Sequence, residues 1–277
     1  GKYNKVESSN LLGARVDLDY NINNNLIYTA SISKAYKPSG INQSINIGNV
    51  DYSLDESIRT YNTENLYNSE IGAKFISNQQ SLLINLFYMH RESPQVRLSY
   101  QLNPLDPASF DFYTINANYG YSYGIEGQYQ TTLNDNIYFY DNFAILKSYI
   151  GKYKFLDSVV GNRTQAHAPE FSASAGFVIK LKKQLNLQLN HSITSNFYYE
   201  DQYENQSSTY QIMNITFIYT YNKFDFSLWI KNVLNEKYEV RGYSFSLEPS
   251  PNQAPYFFEN SYQSFGNPRN IGITINY

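Results

Sequence analysis

Histidine, serine and carboxylate side chains could do acid–base or covalent chemistry in this chain, and their spacing supports none. There are three histidines, His90, His167 and His191, and no cysteine. His90 and His191 fall near the ends of predicted strands and His167 in a predicted loop. A metal site needs convergent ligands, and histidines scattered in this way do not suggest one. A nucleophile and its base must lie within hydrogen-bond reach. His191 and Ser192 are sequence neighbours, so on a strand they point to opposite faces, and His90 has no evident serine partner. Arg15, Asp17 and Asp19 alternate along one predicted strand and share its polar face; they read as interior wall residues rather than a catalytic carboxylate pair. A net charge of −3, with no basic stripe, leaves nothing for nucleic acid to bind. The chain is therefore not expected to be an enzyme.

The elements that must position any site are strands. Eleven are predicted, the first over residues 11–21 and the last over 268–277, and their ten connections alternate between short and long. The short ones are residues 22–25, 77–80, 133–135, 181–184 and 222–223. The long ones are residues 37–63, 92–115, 149–167, 200–207 and 239–267. A soluble sandwich has no reason to gather every long loop on one side. An outer-membrane barrel does, with tight periplasmic turns and long extracellular loops. Asn23-Asn24-Asn25, Ser77-Asn78-Gln79-Gln80, Asn134-Asp135, Lys182-Lys183 and Asn222-Lys223 supply residues that tolerate turns.

Within the strands, side chains alternate in character. Ile271, Ile273, Ile275 and Tyr277 interleave with Gly272, Thr274 and Asn276. Phe224, Phe226, Leu228 and Ile230 interleave with Asp225, Ser227 and Lys231, and Leu185, Leu187 and Leu189 with Asn186, Gln188 and Asn190. Ile215, Phe217, Tyr219 and Tyr221 line one face of another strand, and Tyr121, Tyr123, Ile125 and Tyr129 one face of a fifth. Period-two alternation gives each strand one apolar and one polar face, suited to lipid outside and a polar lumen inside. Residues 136–148 resist phasing, because Ile137, Phe139 and Phe143 carry Asp141 to the lipid side with them. The expectation there is an interfacial height for Asp141 or a bulge that turns it inward.

Composition favours the membrane barrel over a soluble all-β protein. The chain carries 29 Tyr and 17 Phe against one Trp, with a mean hydropathy of −0.50. No apolar run approaches the roughly 20 residues of a spanning helix. Tyrosine suits the aromatic girdles of a barrel, since it presents an apolar ring and a wet hydroxyl. The predicted strands are also longer than the five or six residues usual in soluble sheets.

The 277 residues show no internal domain boundary and no linker. Eleven is an odd number, whereas single-chain bacterial barrels close with an even one. No basic stretch followed by an apolar one marks a signal peptide. The expectation is that residues 1–277 form the C-terminal portion of a longer barrel protein. The absence of cysteine fits an oxidising compartment.

Four segments then carry a family resemblance. Asn232-Val233-Leu234-Asn235-Glu236-Lys237-Tyr238, followed by Gly266-Asn267-Pro268-Arg269 and an alternating last strand, resembles the ending of TonB-dependent outer-membrane receptors. Tyr28 to Asn42 and Asn116 to Glu126 are similar to two further strand-and-loop segments of that family, in the same order and spacing. Leu234 stands where the family usually has Phe, Ser39 precedes Gly40 where a Gly pair is usual, and Tyr277 ends the chain in place of Phe.

The resemblance implies about eleven strands, half of a 22-stranded barrel, with the plug domain and its TonB contact absent from this stretch. It implies energy-coupled uptake of a scarce nutrient, a ferric siderophore foremost, in the outer membrane of a Gram-negative bacterium. Partners would be the TonB complex through the plug, outer-membrane lipid and lipopolysaccharide, and the barrel assembly machinery at the C-terminal strand. The alternatives are a passive porin-like channel, or TonB-dependent uptake of cobalamin, haem or an oligosaccharide. No cofactor is implied, and the glycosylation sequon Asn205-Gln206-Ser207 has no expected use there. Candidate ligand residues lie in the long connections. Arg59, Arg97, Arg163 and Arg241 offer guanidinium forks to the carboxylate or catecholate oxygens of an anionic chelate. Tyr243, Tyr256, Phe257, Phe258 and Tyr262 offer rings to pack on it. Residues 239–267 exceed the length usual for a purely structural loop, so this connection is expected over the extracellular mouth. Pro268 and Arg269 read as the start of the last strand, with Arg269 facing an inward acid.

Overall fold

A computed structural model of the chain describes residues 11–42, 59–101, 110–155, 158–201, 203–245 and 260–277. In chain order the strands are β1 (Ala14–Asn21), β2 (Leu26–Lys37), β3 (Gly40–Ile41), β4 (Thr60–Tyr61), β5 (Glu64–Ile76), β6 (Gln80–Glu92), β7 (Gln95–Gln101), β8 (Phe110–Asn116) and β9 (Tyr119–Asn134). They continue as β10 (Ile137–Ile150), β11 (Tyr153–Phe155), β12 (Ser158–Val160), β13 (Phe171–Lys182), β14 (Leu185–Thr194), β15 (Tyr210–Tyr221), β16 (Phe224–Lys231), β17 (Glu239–Phe245), β18 (Asn260–Phe265) and β19 (Asn270–Asn276). Eleven of them form one antiparallel sheet in the order β1-β2-β5-β6-β9-β10-β13-β14-β15-β16-β19. The other eight form four small hairpins, β3–β4, β7–β8, β11–β12 and β17–β18, each inside a long connection of the large sheet. The eleven-strand expectation thus holds for the sheet, while the long connections carry strands of their own.

Side-chain chemistry fixes the register of the sheet. Ile273 opposes Leu228, Leu228 opposes Phe217, Phe217 opposes Leu187, and Leu187 opposes Ile179, so one face is apolar across five strands. A one-residue slip would carry all of these side chains to the other face. That other face is polar: Arg15 and Asp17 form an ion pair on it (2.8 Å), and Asn190 donates to Ser174 Oγ (3.0 Å). Trp229 also lies on it, its Nε1 donating to Thr274 Oγ1 (3.1 Å) while its ring covers Gly272.

The short turns follow from their asparagines. Asn23 Oδ1 accepts from the backbone amides of Asn25 (2.8 Å) and Leu26 (3.0 Å). Asn222 adopts φ +53°, which the two-residue hairpin Asn222-Lys223 requires. In β10, Asp141 pairs regularly with Tyr129 and Ala175 and stands on the apolar face with Phe139 and Phe143. No bulge turns it inward, because the one irregularity of this pairing falls lower, between Ile137 and Tyr138. Asp141 is instead level with Tyr129, whose hydroxyl reaches down to Gln80 Oε1 (3.2 Å) at the start of β6.

The packed apolar core of the described residues lies in the long connections. Val96, Leu98, Tyr113, Ile115 and Ala117 of the β7–β8 segment pack with Ile150 and Tyr153 at the end of β10 and on β11. Polar groups bind the same layer together. Glu64 accepts from Arg91 Nε (2.7 Å) and from the amide of Gln95 (2.8 Å). Gln95 Nε2 donates to the carbonyls of Pro38 (2.7 Å) and Asn62 (3.1 Å). Asn42 and Thr114 exchange two hydrogen bonds across the first and second long connections. These paired buried groups tie the layer together as a scaffold.

Candidate ligand-binding site

Four of the long connections converge on a cavity of about 500 Å³. The β7–β8 hairpin contributes Arg97, Leu98 and Phe112; the β10–β13 connection contributes Ala166 and His167. The β14–β15 connection contributes Tyr199, Glu200 and Asp201, and β17 contributes Arg241, Gly242 and Tyr243. Arg97, Arg241 and Tyr243, three residues singled out in the sequence, therefore share one wall system although up to 146 positions separate them (243 − 97).

Neither cationic group in the cavity has a carboxylate partner among the described residues. Arg97 lies over the Phe112 ring, 4.7 Å from its centroid. Arg241 Nη1 donates to the Tyr243 hydroxyl (3.2 Å), with the guanidinium 5.8 Å from that ring's centroid. Stacking on a ring orients a guanidinium while leaving most of its N–H donors for a ligand. Tyr199 is buried, and its hydroxyl has no hydrogen-bond partner among the described residues. Burial, and next the negative charge of Glu239, hold that phenol above its ordinary value, so it stays protonated and can donate a hydrogen bond. Its ring lies against Gly242, where any Cβ would collide with it. Glycine is required there by close approach.

The remaining candidates lie elsewhere. Arg163 is part of the frame, its side chain only 9 % exposed. Its two terminal nitrogens donate to the carbonyls of Tyr203 and Glu200, Nη1 is paired with Glu204 (3.1 Å), and the guanidinium sits 4.4 Å over the Tyr198 ring. It thus pins the stretch that carries Tyr199, Glu200 and Asp201. Tyr153 reinforces this by donating to the Asp201 carbonyl (3.1 Å), and the Ala166 amide donates to Asp201 Oδ1 (2.9 Å). Arg59 is half-buried beside the β3–β4 hairpin, where its carbonyl accepts from Asn42 (2.8 Å), and is not among the cavity residues. Tyr262 is the cross-strand partner of Tyr243. Tyr256, Phe257 and Phe258 lie outside the described residues.

The Asn232–Tyr238 segment forms a structural knot at the base of β17. Asn232 is 2 % exposed and donates to the carbonyls of Glu236 (2.8 Å) and Asn267 (3.1 Å). The Arg269 amide donates to Asn235 Oδ1 (3.0 Å), and Arg269 Nη1 donates to the Val233 carbonyl (3.3 Å). Arg269 has no acidic partner among the described residues, so its place is in this knot rather than opposite an inward acid. The knot fixes where the β17–β18 hairpin leaves the sheet, and so where Arg241 stands.

His167, Phe112, Tyr199 and Asp201 are site residues that sequence reasoning missed. His167 takes φ +53°, donates its amide to the Tyr198 carbonyl (2.9 Å) and lays its ring 5.3 Å from that of Phe197. Among the described residues, no three His, Cys, Asp or Glu side chains gather as a metal site.

Comparison with known proteins places this architecture. The family described as TonB dependent receptor-like, beta-barrel matches residues 3–233. Among solved structures, the ferric yersiniabactin uptake receptor FyuA from Yersinia pestis superposes with a TM-score of 0.70 at 18 % identity, over 94 % of this chain and 36 % of that one. The siderophore receptor PiuA from Acinetobacter baumannii gives 0.67 at 14 % identity, over 94 % and 35 %. The copper transporter OprC gives 0.64 at 11 % identity, over 94 % and 38 %. The chain thus spans about a third of the length of these structures. No curated protein sequence matches it.

Proposed function

Because this chain belongs to the TonB-dependent receptor β-barrel family, we propose that it is the C-terminal portion of the barrel of an outer-membrane receptor that takes up a scarce nutrient, a ferric siderophore. In this reading the eleven strands are part of the wall. Their apolar face meets lipid and their polar face meets the lumen. The cavity among the long connections faces the outside and captures cargo, and the rest of the receptor supplies the plug and the contact with TonB. Family membership supports the uptake class. The siderophore is the finer part of the proposal and rests on the chemistry of the cavity.

One observation carries that finer part. Two guanidinium groups without carboxylate partners among the described residues, and three aromatic rings, line a single cavity held by a hydrogen-bonded scaffold. A guanidinium in such a place recognises planar oxyanions through parallel N–H donors, and the rings pack on flat ligand groups. Catecholate and carboxylate chelates of ferric iron present both features.

The test is uptake of radioactive iron by cells producing the full-length receptor, supplied with ferric catecholate and ferric carboxylate chelates, with and without TonB. Accumulation of one chelate that needs both receptor and TonB is the expected result. Accumulation that persists without TonB would indicate a passive channel instead. Uptake of cobalamin, haem or an oligosaccharide in place of every iron chelate would retain the class and replace the cargo.

A further inference from the structure

His167 stands in the wall of the capture cavity, its ring lying against Phe197 at 5.3 Å between centroids. Its backbone is held by the Tyr198 carbonyl, and its imidazole borders the cavity. The charged and titratable groups that face this cavity from each packed element are Arg97 on β7, Arg241 and Tyr243 on β17, and Tyr199, Glu200 and Asp201 on the β14–β15 connection. We propose that His167 is a further ligand-binding residue and makes capture proton-linked: an acidic group held by Arg97 and Arg241 draws a proton from solvent onto the imidazole, which then becomes the third cation on the ligand. This inference rests on the reading of the cavity as an anion-binding site.

The electrostatics give its sign. Without ligand, partial burial first, and then the positive charge of Arg241, keep the imidazole below its ordinary value. Asp201 and a hydrogen bond to the Tyr199 backbone act in the opposite direction without overcoming them. At neutral pH the free site therefore holds neutral His167. An anion beside Arg241 cancels the repulsion and adds attraction, so the ligated site favours imidazolium. Binding then takes up a proton, and affinity rises as pH falls through the range between the free and ligated values.

The purified full-length receptor can be titrated calorimetrically with naphthalene disulfonate, a flat dianion whose charge does not change with pH. Measurements at about pH 5 and about pH 8 bracket the ordinary imidazole value. The expected result is affinity higher by roughly tenfold at the lower pH, corresponding to about one pH unit of displacement on binding, with proton uptake read from buffers of different ionisation enthalpy. The His167→Gln variant should bind with no such slope and no uptake. Wild-type binding that is flat with pH, or a His167→Gln variant that keeps the wild-type slope, would overturn the inference while leaving the cavity in place. Failure of the dianion to bind at either pH, or undiminished binding to an Arg97→Gln, Arg241→Gln double variant, would overturn the cavity assignment itself and this inference with it.

Discussion

Replacing Ile273 with arginine tests which face of the sheet meets lipid. Ile273 is 71 % exposed on the apolar face, opposite Leu228 and between Ile271 and Ile275. Tyr277, packed on Phe224 with ring centroids 5.1 Å apart, marks the turn end of that strand. Four residues separate the two positions, about 13 Å along a strand rising ~3.3 Å per residue. A tilt of about 40° reduces this to a height of roughly 10 Å, close to the middle of an apolar band about 25 Å tall. An arginine at that depth costs about 2–4 kcal/mol. The control is Gln188→Arg, on the polar face of β14 between Val178 and Thr216; there the change should stay within about 0.5 kcal/mol. The assay is reversible denaturant unfolding of the full-length receptor from lipid vesicles. Equal costs for the two variants, or a cost below about 0.5 kcal/mol for Ile273→Arg, would refute the assignment of faces.

Three further outcomes follow from the same geometry. Arg163→Gln should release the stretch around Glu200 and Tyr203, raising its hydrogen exchange and protease cleavage while leaving the eleven-stranded sheet intact; unchanged protection of residues 195–207 would contradict the anchoring role. Gly242→Val should drive the Tyr199 ring out of place and weaken cargo binding by about fivefold or more, on the order of 1–3 kcal/mol for overpacking, whereas undiminished binding would show that Tyr199 does not shape the cavity. Asp141→Leu should stabilise the barrel by roughly 1 kcal/mol, since an acid on the lipid-facing side is unfavourable but less so than a midplane arginine, and destabilisation in the same unfolding assay would show that Asp141 has a partner in the membrane.

The sheet was legible because its side chains obey a two-residue period. Ile271 to Tyr277 and Phe224 to Ile230 announce their lipid face without further help, and asparagines at 23, 134 and 222 mark the turns where strands reverse. The phase of β10 was not legible, since Asp141 sits in an otherwise apolar row and only its pairing with Tyr129 and Ala175 decides the matter. The hairpins within the long connections were hidden too. β7 and β8 owe their stability to packing of Val96, Leu98, Tyr113 and Ile115 on Ile150 and Tyr153, contacts between residues far apart in sequence. In the site, arginine in a long loop was a sound signal for Arg97 and Arg241 as cavity residues. The same signal applied to Arg163, which holds backbone carbonyls 37 and 40 positions away, a role no side-chain pattern records. His167 read as one of three scattered histidines, because its neighbours Arg241 and Asp201 come from other connections.

The central claim is that cargo is held by the two guanidinium groups of this cavity. The direct measurement is equilibrium binding of the transported chelate to cells displaying the full-length receptor or its Arg97→Gln, Arg241→Gln double variant at matched surface density. Two lost charge-assisted hydrogen-bonding groups at about 1.5 kcal/mol or more each predict affinity weaker by roughly a hundredfold. A dissociation constant within about twofold of wild type, under half a kcal/mol, would contradict it.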